Sequence, residues 1–262
     1  MPLRIVTYNV HKCRGLDGRT SAHRIAEVLR EVGADIIALQ EVLDHQAETV
    51  AADLSLPFVL GENRKHRGYG YGNVLLSRYP ILAMRNYDLS VRGREERGCL
   101  RADLDVAGDL LHVFNVHLGT ALIERRHQGR KLIAPELLSD AAIDAPRIVL
   151  GDFNEWTRGL ATRLLRSHMR SADVRAHLQR SKTYPGVLPF LHLDHIYYDP
   201  ALRLEKLALC RTRKALVASD HLPLIGEFSW EGERVDANGP LKKEMVPSDP
   251  IPSSAHHRHA RH

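Results

Sequence analysis

The sequence predicts an α/β chain (of the mixed, α+β kind) in which helices cover partly antiparallel sheets. Three observations predict it. Strand-like and helix-like stretches alternate, strands outnumber the helices between them, and the 262 residues are 44% hydrophobic and 26% charged, the balance of an ordinary folded domain. The longest apolar runs, such as Ile36-Ile37-Ala38-Leu39 and Ile148-Val149-Leu150, are strand-sized. They fall far short of the about 20 residues a membrane helix needs, so an integral membrane protein is not expected.

Residues 3–10 are β-rich and short. Ser21 is positioned to cap a helix whose Ile25, Val28, Leu29 and Val32 recur at helical spacing, with Gly33 as its stop. Asp35 opens a buried strand over 36–42. Segments 72–77, 97–106 and 110–118 read as strands, the last two joined by a Gly108-Asp109 turn. A helix is expected over about 121–139, with Gly129 and Pro135 weakening its ends. Residues 147–152 form another buried strand, and Leu160, Leu164, Leu165 and Met169 give a helical stripe after it. Segments 192–198, 208–211 and 222–228 complete the strands. From Trp230 onward apolar periodicity stops and prolines and histidines take over, so one folded domain is expected over 1–230 and a disordered Pro/His-rich tail over 231–262.

The three cysteines, Cys13, Cys99 and Cys210, are widely spaced with no CxxC, which argues against a disulfide framework or a zinc ribbon. Met1-Pro2-Leu3-Arg4-Ile5 runs straight into a strand, so no signal peptide is expected and the cytoplasm is the expected location. The 37 basic residues outnumber 32 acidic ones, and only eight of the 37 are lysines. A modest arginine-rich excess leans toward an anionic partner, because the guanidinium fork suits phosphate.

Polar residues interrupt strand ends again and again, with the same functional groups: Tyr8-Asn9-Val10-His11, Leu39-Gln40-Glu41-Val42, Phe114-Asn115-Val116-His117, Leu150-Gly151-Asp152-Phe153-Asn154, Leu193-Asp194-His195 and Ser219-Asp220-His221. Strand ends are where rigid elements deliver side chains to a ligand. Carboxylates, amides and imidazoles without a thiol cluster suit Mg²⁺ or Mn²⁺ rather than zinc. Gly68-Tyr69-Gly70-Tyr71-Gly72-Asn73 lacks the GK[ST] of a P-loop and reads as a turn that brings Asn73 near the site, with its tyrosines as rim contacts. In His192-x-Asp194-His195, alternation puts His195 on the face opposite Asp194, against a zinc-hydrolase reading.

The order TxNxH, LQEV, NxH, GDFN, LDH and SDH, spanning residues 7–223, resembles the endonuclease/exonuclease/phosphatase superfamily, the deoxyribonuclease I-like metal-dependent phosphoesterases. The resemblance implies a four-layer sandwich of two packed mixed β-sheets flanked by helices. It implies Asn9, Glu41 and Asp220 as ligands of Mg²⁺ or Mn²⁺, Asp152 orienting or deprotonating the attacking water, and Asn154 donating to a non-bridging oxygen. Asp194 and His221 are implied as a carboxylate–imidazole pair, and His117 as a group able to protonate the departing alkoxide. Arg97, Asn73 and Tyr71 are the candidate phosphate or rim contacts. Related bacterial sequences usually carry arginine where this one has His192. The loops are short, unlike the DNA-clasping insertions of abasic-site endonucleases, and the long apolar hairpins of secreted sphingomyelinases are not evident.

The function expected from this resemblance is metal-dependent hydrolysis of a phosphodiester by in-line attack of water. The substrate is a nucleic acid, a phospholipid head group or a small phosphorylated molecule. A phosphomonoesterase of the inositol-phosphatase type and a non-catalytic binding module on the same fold are the alternatives. The second has no use for Glu41, Asp152, Asn154, Asp194 and His221 together.

Overall fold

The computed structural model describes residues 2–155, 159–172 and 193–231. The expected tail from 232 onward lies outside them, as does His192. Among the described residues, twelve strands form two mixed sheets of six strands each. In the first, β11 (Leu202–Leu209), β12 (Leu224–Trp230), β1 (Leu3–Asn9), β2 (Ile36–Leu43), β4 (Tyr69–Ser77) and β3 (Phe58–His66) lie side by side in that order. In the second the order is β5 (Ile81–Asp88), β6 (Gly98–Val106), β7 (Asp109–His117), β8 (Arg147–Asp152), β10 (Asp194–Tyr198) and β9 (Arg170–Ser171). Each sheet has one parallel pair near its middle, β1 with β2 and β7 with β8. Antiparallel pairing fills in the rest.

Period-two alternation builds the layers. Leu3 and Ile5 of β1, Ile36 and Ala38 of β2 and Leu75 of β4 face Leu100, Ala102, Leu111, Val113, Ile148, Leu150 and Ile196 of the other sheet. Their neighbours Val6, Tyr8, Ile37, Leu39, Val74 and Leu76 point the other way. They pack beneath helices α1 (Ala22–Val32), α2 (Asp44–Leu54) and α5 (Arg213–Ala218). On the far face of the second sheet, Phe114, Val116, Val149 and Tyr197 pack against Leu132 of α3 (Leu122–Leu132) and Ala161 and Leu165 of α4 (Leu160–Arg166). Helix, sheet, sheet, helix is the four-layer order.

Ser21 accepts a hydrogen bond from the Arg24 amide, and Gly33 ends α1 at φ 62°, as the sequence requires. Several expectations need correction. Helix α3 stops at Leu132 rather than near 139; Gly129 lies inside it, where a Cβ would meet Ala161 at 2.9–3.0 Å, so the glycine allows α3 and α4 to touch. The stripe ending at Met169 is a helix only to Arg166. The strand expected at 208–211 runs instead over Leu202–Leu209. The β6–β7 loop is Ala107-Gly108, both at positive φ, one residue earlier than expected and suited to a two-residue hairpin. Helices α2 and α5 and strands β3 and β5 carried no recognised pattern. Among the described residues, no helix is long and apolar enough to cross a membrane, and the three cysteines are unpaired.

Candidate active site

The alternation that builds the inter-sheet core also delivers the site. Continuing each inner-facing row to its strand end places Asn9 after Ile5 and Thr7, His117 after Val113 and Asn115, and Asp152 after Ile148 and Leu150. Asp194 opens β10, antiparallel to β8 and opposite Asp152 in register. These ends meet at one edge of the sandwich, between the sheets.

Glu41 is the exception to parity. Two residues beyond outward-facing Leu39, it should face α2 rather than the other sheet. The β2–β4 register shifts between Leu39 and Val42, and Glu41 adopts φ 59°. This bulge turns its side chain to the inner face, a re-aiming for which bulges are known. Asn9 Nδ2 donates to Glu41 Oε1 at 3.2 Å and to Asp152 Oδ2 at 3.0 Å. Lys12 Nζ lies 3.1 Å from Glu41 Oε2. Burial alone would raise the Glu41 pKa; His117, Lys12 and the Asn9 amide outweigh it and hold the carboxyl below its ordinary range.

Asp152 Oδ2 is the hub. Besides Asn9 it has His221 Nε2 at 3.6 Å and His117 Nε2 at 3.7 Å. Burial drives the Asp152 pKa upward, against the two imidazoles. His221 Nδ1 and Asp194 Oδ2 are 3.0 Å apart. Burial disfavours charge on His221, but Asp194 and then Asp152 overcome it and push the pKa up to about 10. His117 goes the other way: burial, then the Arg97 charge, outweigh Asp152 and Glu41 and push it down to about 4. The site therefore holds one charged and one neutral imidazole at neutral pH.

Asp220 pairs with His11 through Oδ2 at 3.2 Å. Burial would raise its pKa, but His11 and His221 bring it below the ordinary value. Ser219 Oγ donates to the Asn9 carbonyl at 2.8 Å, tying this loop to β1. Asn154, at φ 50°, donates its backbone N–H to Asp152 Oδ1 at 2.9 Å and its side-chain Nδ2 to the Leu118 carbonyl at 2.8 Å. One of its two amide hydrogens is thus committed to the protein.

The rim candidates divide. Arg97 is buried, its guanidinium near His117 and paired with Glu95 at 2.7 Å. Tyr71 is buried too, beneath the Arg64 guanidinium at 4.7 Å and Lys12 at 5.9 Å. It is a platform under the edge of the site rather than an exposed contact. Asn73 departs from expectation: it lies between the sheets, and Nδ2 spends its hydrogens on the Gly98 and Asn115 carbonyls. Asn115 and Gln40, members of the strand-end motifs, also lie below the site, joined to each other at 2.7 Å. His195 faces outward against Phe153, as alternation required. Sequence reasoning missed Lys12 and gave His11 no role; both follow Asn9 in a run of positive φ values from His11 to Cys13, a strained turn that only the structure reveals.

Residues 6–221 match the model of the Endonuclease/Exonuclease/phosphatase family. The chain belongs to that family. The uncharacterized protein YbhP of Escherichia coli K12 is 32% identical over 245 residues, which cover 86% of this chain and 95% of YbhP. Among solved structures, the Bacteroides thetaiotaomicron mannosyl-6-phosphatase Bt3783 superposes with a TM-score of 0.70 at 17% identity, covering 87% of this chain and 100% of that one. The D. rerio TDP2 complexed with a single-strand DNA product gives 0.70 at 20% identity over 87% and 99%. At these identities the two likenesses establish the shared fold.

Among the described residues, no three His, Cys, Asp or Glu side chains form a ready metal cage. A small hard cation needs no such cage, since it keeps several waters and binds through one or two carboxylates. The donors fit it: an ionised Glu41, already attracting the Lys12 ammonium and an Asn9 amide hydrogen, stands with Asp220 at the same edge, and Asn9 Oδ1, which accepts from the His11 amide at 3.0 Å, is the oxygen the Asn9 side chain would offer.

Proposed function

We propose that the protein is a divalent-metal-dependent phosphoesterase that hydrolyses a phosphodiester by in-line attack of water. The observation that carries this reading is the convergence of Asn9, His117 and His221 on the single oxygen Asp152 Oδ2. Asn9, Glu41 and Asp220 would hold Mg²⁺ or Mn²⁺. The cation, when bound, supplies Lewis-acid polarisation of a phosphoryl oxygen and offsets charge on the leaving oxygen.

Asp152 positions the attacking water and takes its proton; the upward shift of its pKa makes it a better acceptor than an ordinary aspartate. His221, protonated and held by Asp194, presents positive charge to the non-bridging oxygens, and the second amide hydrogen of Asn154 adds a donor there. His117 meets the phosphate as a neutral hydrogen-bonding ring, because its pKa lies near 4. The leaving alkoxide therefore draws its proton from His221 or solvent rather than from His117.

The test incubates the protein with Mg²⁺ or Mn²⁺ against plasmid DNA, RNA, phospholipids and inositol phosphates, with Glu41→Ala and Asp152→Ala beside it. Chelator-sensitive hydrolysis that falls about a hundred- to a thousandfold in each variant is expected. Equal turnover in both variants, insensitive to chelator, overturns the proposal. A nucleic-acid substrate shows a steep loss of binding with salt, from counterion release, whereas a head group or small metabolite does not.

A further inference from the structure

We propose that Arg64 and Arg97 form a second anion subsite beside the reacting centre, which receives a phosphate that is not cleaved. The preferred substrate then carries a terminal phosphomonoester next to its scissile diester. This rests on the phosphoesterase reading and narrows its substrate class.

Both guanidiniums converge on one carboxylate. Arg64 takes Glu95 Oε1 at 2.6 Å and Arg97 takes Oε2 at 2.7 Å. Glu95 itself is half exposed, with 49% of its side chain accessible, whereas the Arg97 side chain is only 6% accessible. A surface carboxylate between two arginines, one of them buried, has the charge and spacing of a phosphate edge. The pair has donors to spare, because among the described residues the buried Nε–H groups of Arg64 and Arg97 meet no acceptor. A carboxylate offers two oxygens and a phosphomonoester three, so the larger anion satisfies more of these donors.

The pair is contiguous with the cleft. Tyr71 supports Arg64 on its ring and lies under Lys12, which reaches Glu41. Arg97 is buried close enough for its charge to act on His117. Glu95 sits in the β5–β6 connection, which Ser90 pins at its base by accepting from the Arg97 amide at 3.1 Å. Glu95 is thus a tethered occupant that a substrate phosphate displaces, while both arginines stay supported.

Kinetics on matched substrates test this. For dithymidine phosphodiester bare, 5′-phosphorylated and 3′-phosphorylated, and for glycerophosphoglycerol with and without a terminal phosphate, kcat/KM is measured for wild type, Arg64→Gln and Glu95→Gln. One series shows at least a tenfold preference for the phosphorylated member, carried by KM. That preference collapses toward unity in Arg64→Gln and grows severalfold in Glu95→Gln; the series that shows it identifies a nucleotide or a head-group source. A wild-type ratio near one in both series, or a ratio unmoved by Arg64→Gln, overturns the subsite. If wild type turns over none of them, the phosphoesterase reading fails separately. Calorimetric binding of inorganic pyrophosphate without metal then decides the subsite: weaker binding in Arg64→Gln supports it, and equal binding refutes it.

Discussion

His221 Nδ1 lies 3.0 Å from Asp194 Oδ2, and both side chains are buried. Among the described residues Asp194 Oδ1 meets no hydrogen-bond partner, so of these the imidazolium is the main compensation for that carboxylate. The same ring reaches Asp152 at 3.6 Å through Nε2. Asp194 therefore fixes the tautomer and the charge of a group that faces Asp152.

Replacing Asp194 with Asn removes that charge. The His221 pKa is expected to drop from about 10 into or below the ordinary range near 6.5, and activity at pH 7–9 falls with it. Breaking a buried pair from one side also lowers stability by about 3 kcal/mol. Histidine NMR titration and the pH–rate profile of the variant check both effects. A raised histidine pKa contributes stability that is present below the unfolded value and is lost as pH rises through about 10. The wild type should show that alkaline loss and Asp194→Asn should not.

His117 carries the opposite sign. Its folded pKa of about 4 lies below the ordinary value of 6.5. Between those values the unfolded chain binds the extra proton, and stability falls as pH drops. Thermal melts from pH 7 to 4.5 should show a smaller decline in Tm for His117→Asn than for wild type, and the His117 ring should not titrate between pH 5 and 8 by NMR.

Asn115 belongs to a strand-end motif but works as a tie between the sheets. It donates to the Leu39 carbonyl at 2.9 Å and the Val74 carbonyl at 2.8 Å, and accepts from Gln40 Nε2 at 2.7 Å. These carbonyls flank the β2 bulge that aims Glu41. Asn115→Leu takes the side-chain donor from two buried carbonyls and leaves Gln40 Nε2 only Thr7 Oγ1 and the Ala38 carbonyl, and should cost about 3 kcal/mol in urea unfolding. Because the bulge loses its support, the remaining folded protein should also bind Mn²⁺ more weakly at the proposed Glu41 site, as calorimetry would read.

Gly151 is required by geometry. Its φ is 146°, and a Cβ there would lie 1.9 Å from the Val116 carbonyl oxygen in the parallel β7–β8 pair that carries His117 and Asp152. Gly151→Ala should destabilise the fold by about 2–4 kcal/mol, seen as a lower midpoint in chemical denaturation.

The elements legible in the sequence are those whose physics is local. The Ser21 cap, the Gly33 stop and the apolar stripe between them define α1 without reference to anything else. The missed elements lack such marks. Helix α2 buries Gln46, Ala47, Val50 and Ala51, a face with one large apolar side chain. Strands β3 and β5 end the order of their sheets, β3 mostly half-buried and β5 mostly exposed, so no strict alternation had to be written into them.

The sequence by itself determined the chemical inventory and the parity that sends Asn9, His117, Asp152 and Asp194 to one face, since alternation along a buried strand is a property of the strand alone. Only the tertiary structure decided how that inventory is used. It turned Glu41 inward through a bulge against β4, sank Asn73 and Asn115 between the sheets, and brought Lys12 onto Glu41. It also shifted the pKa values of His117 and His221 in opposite directions from the same side chain. Those outcomes depend on desolvation and on charges contributed by strands far apart in the chain, and neither exists until the two sheets close on each other.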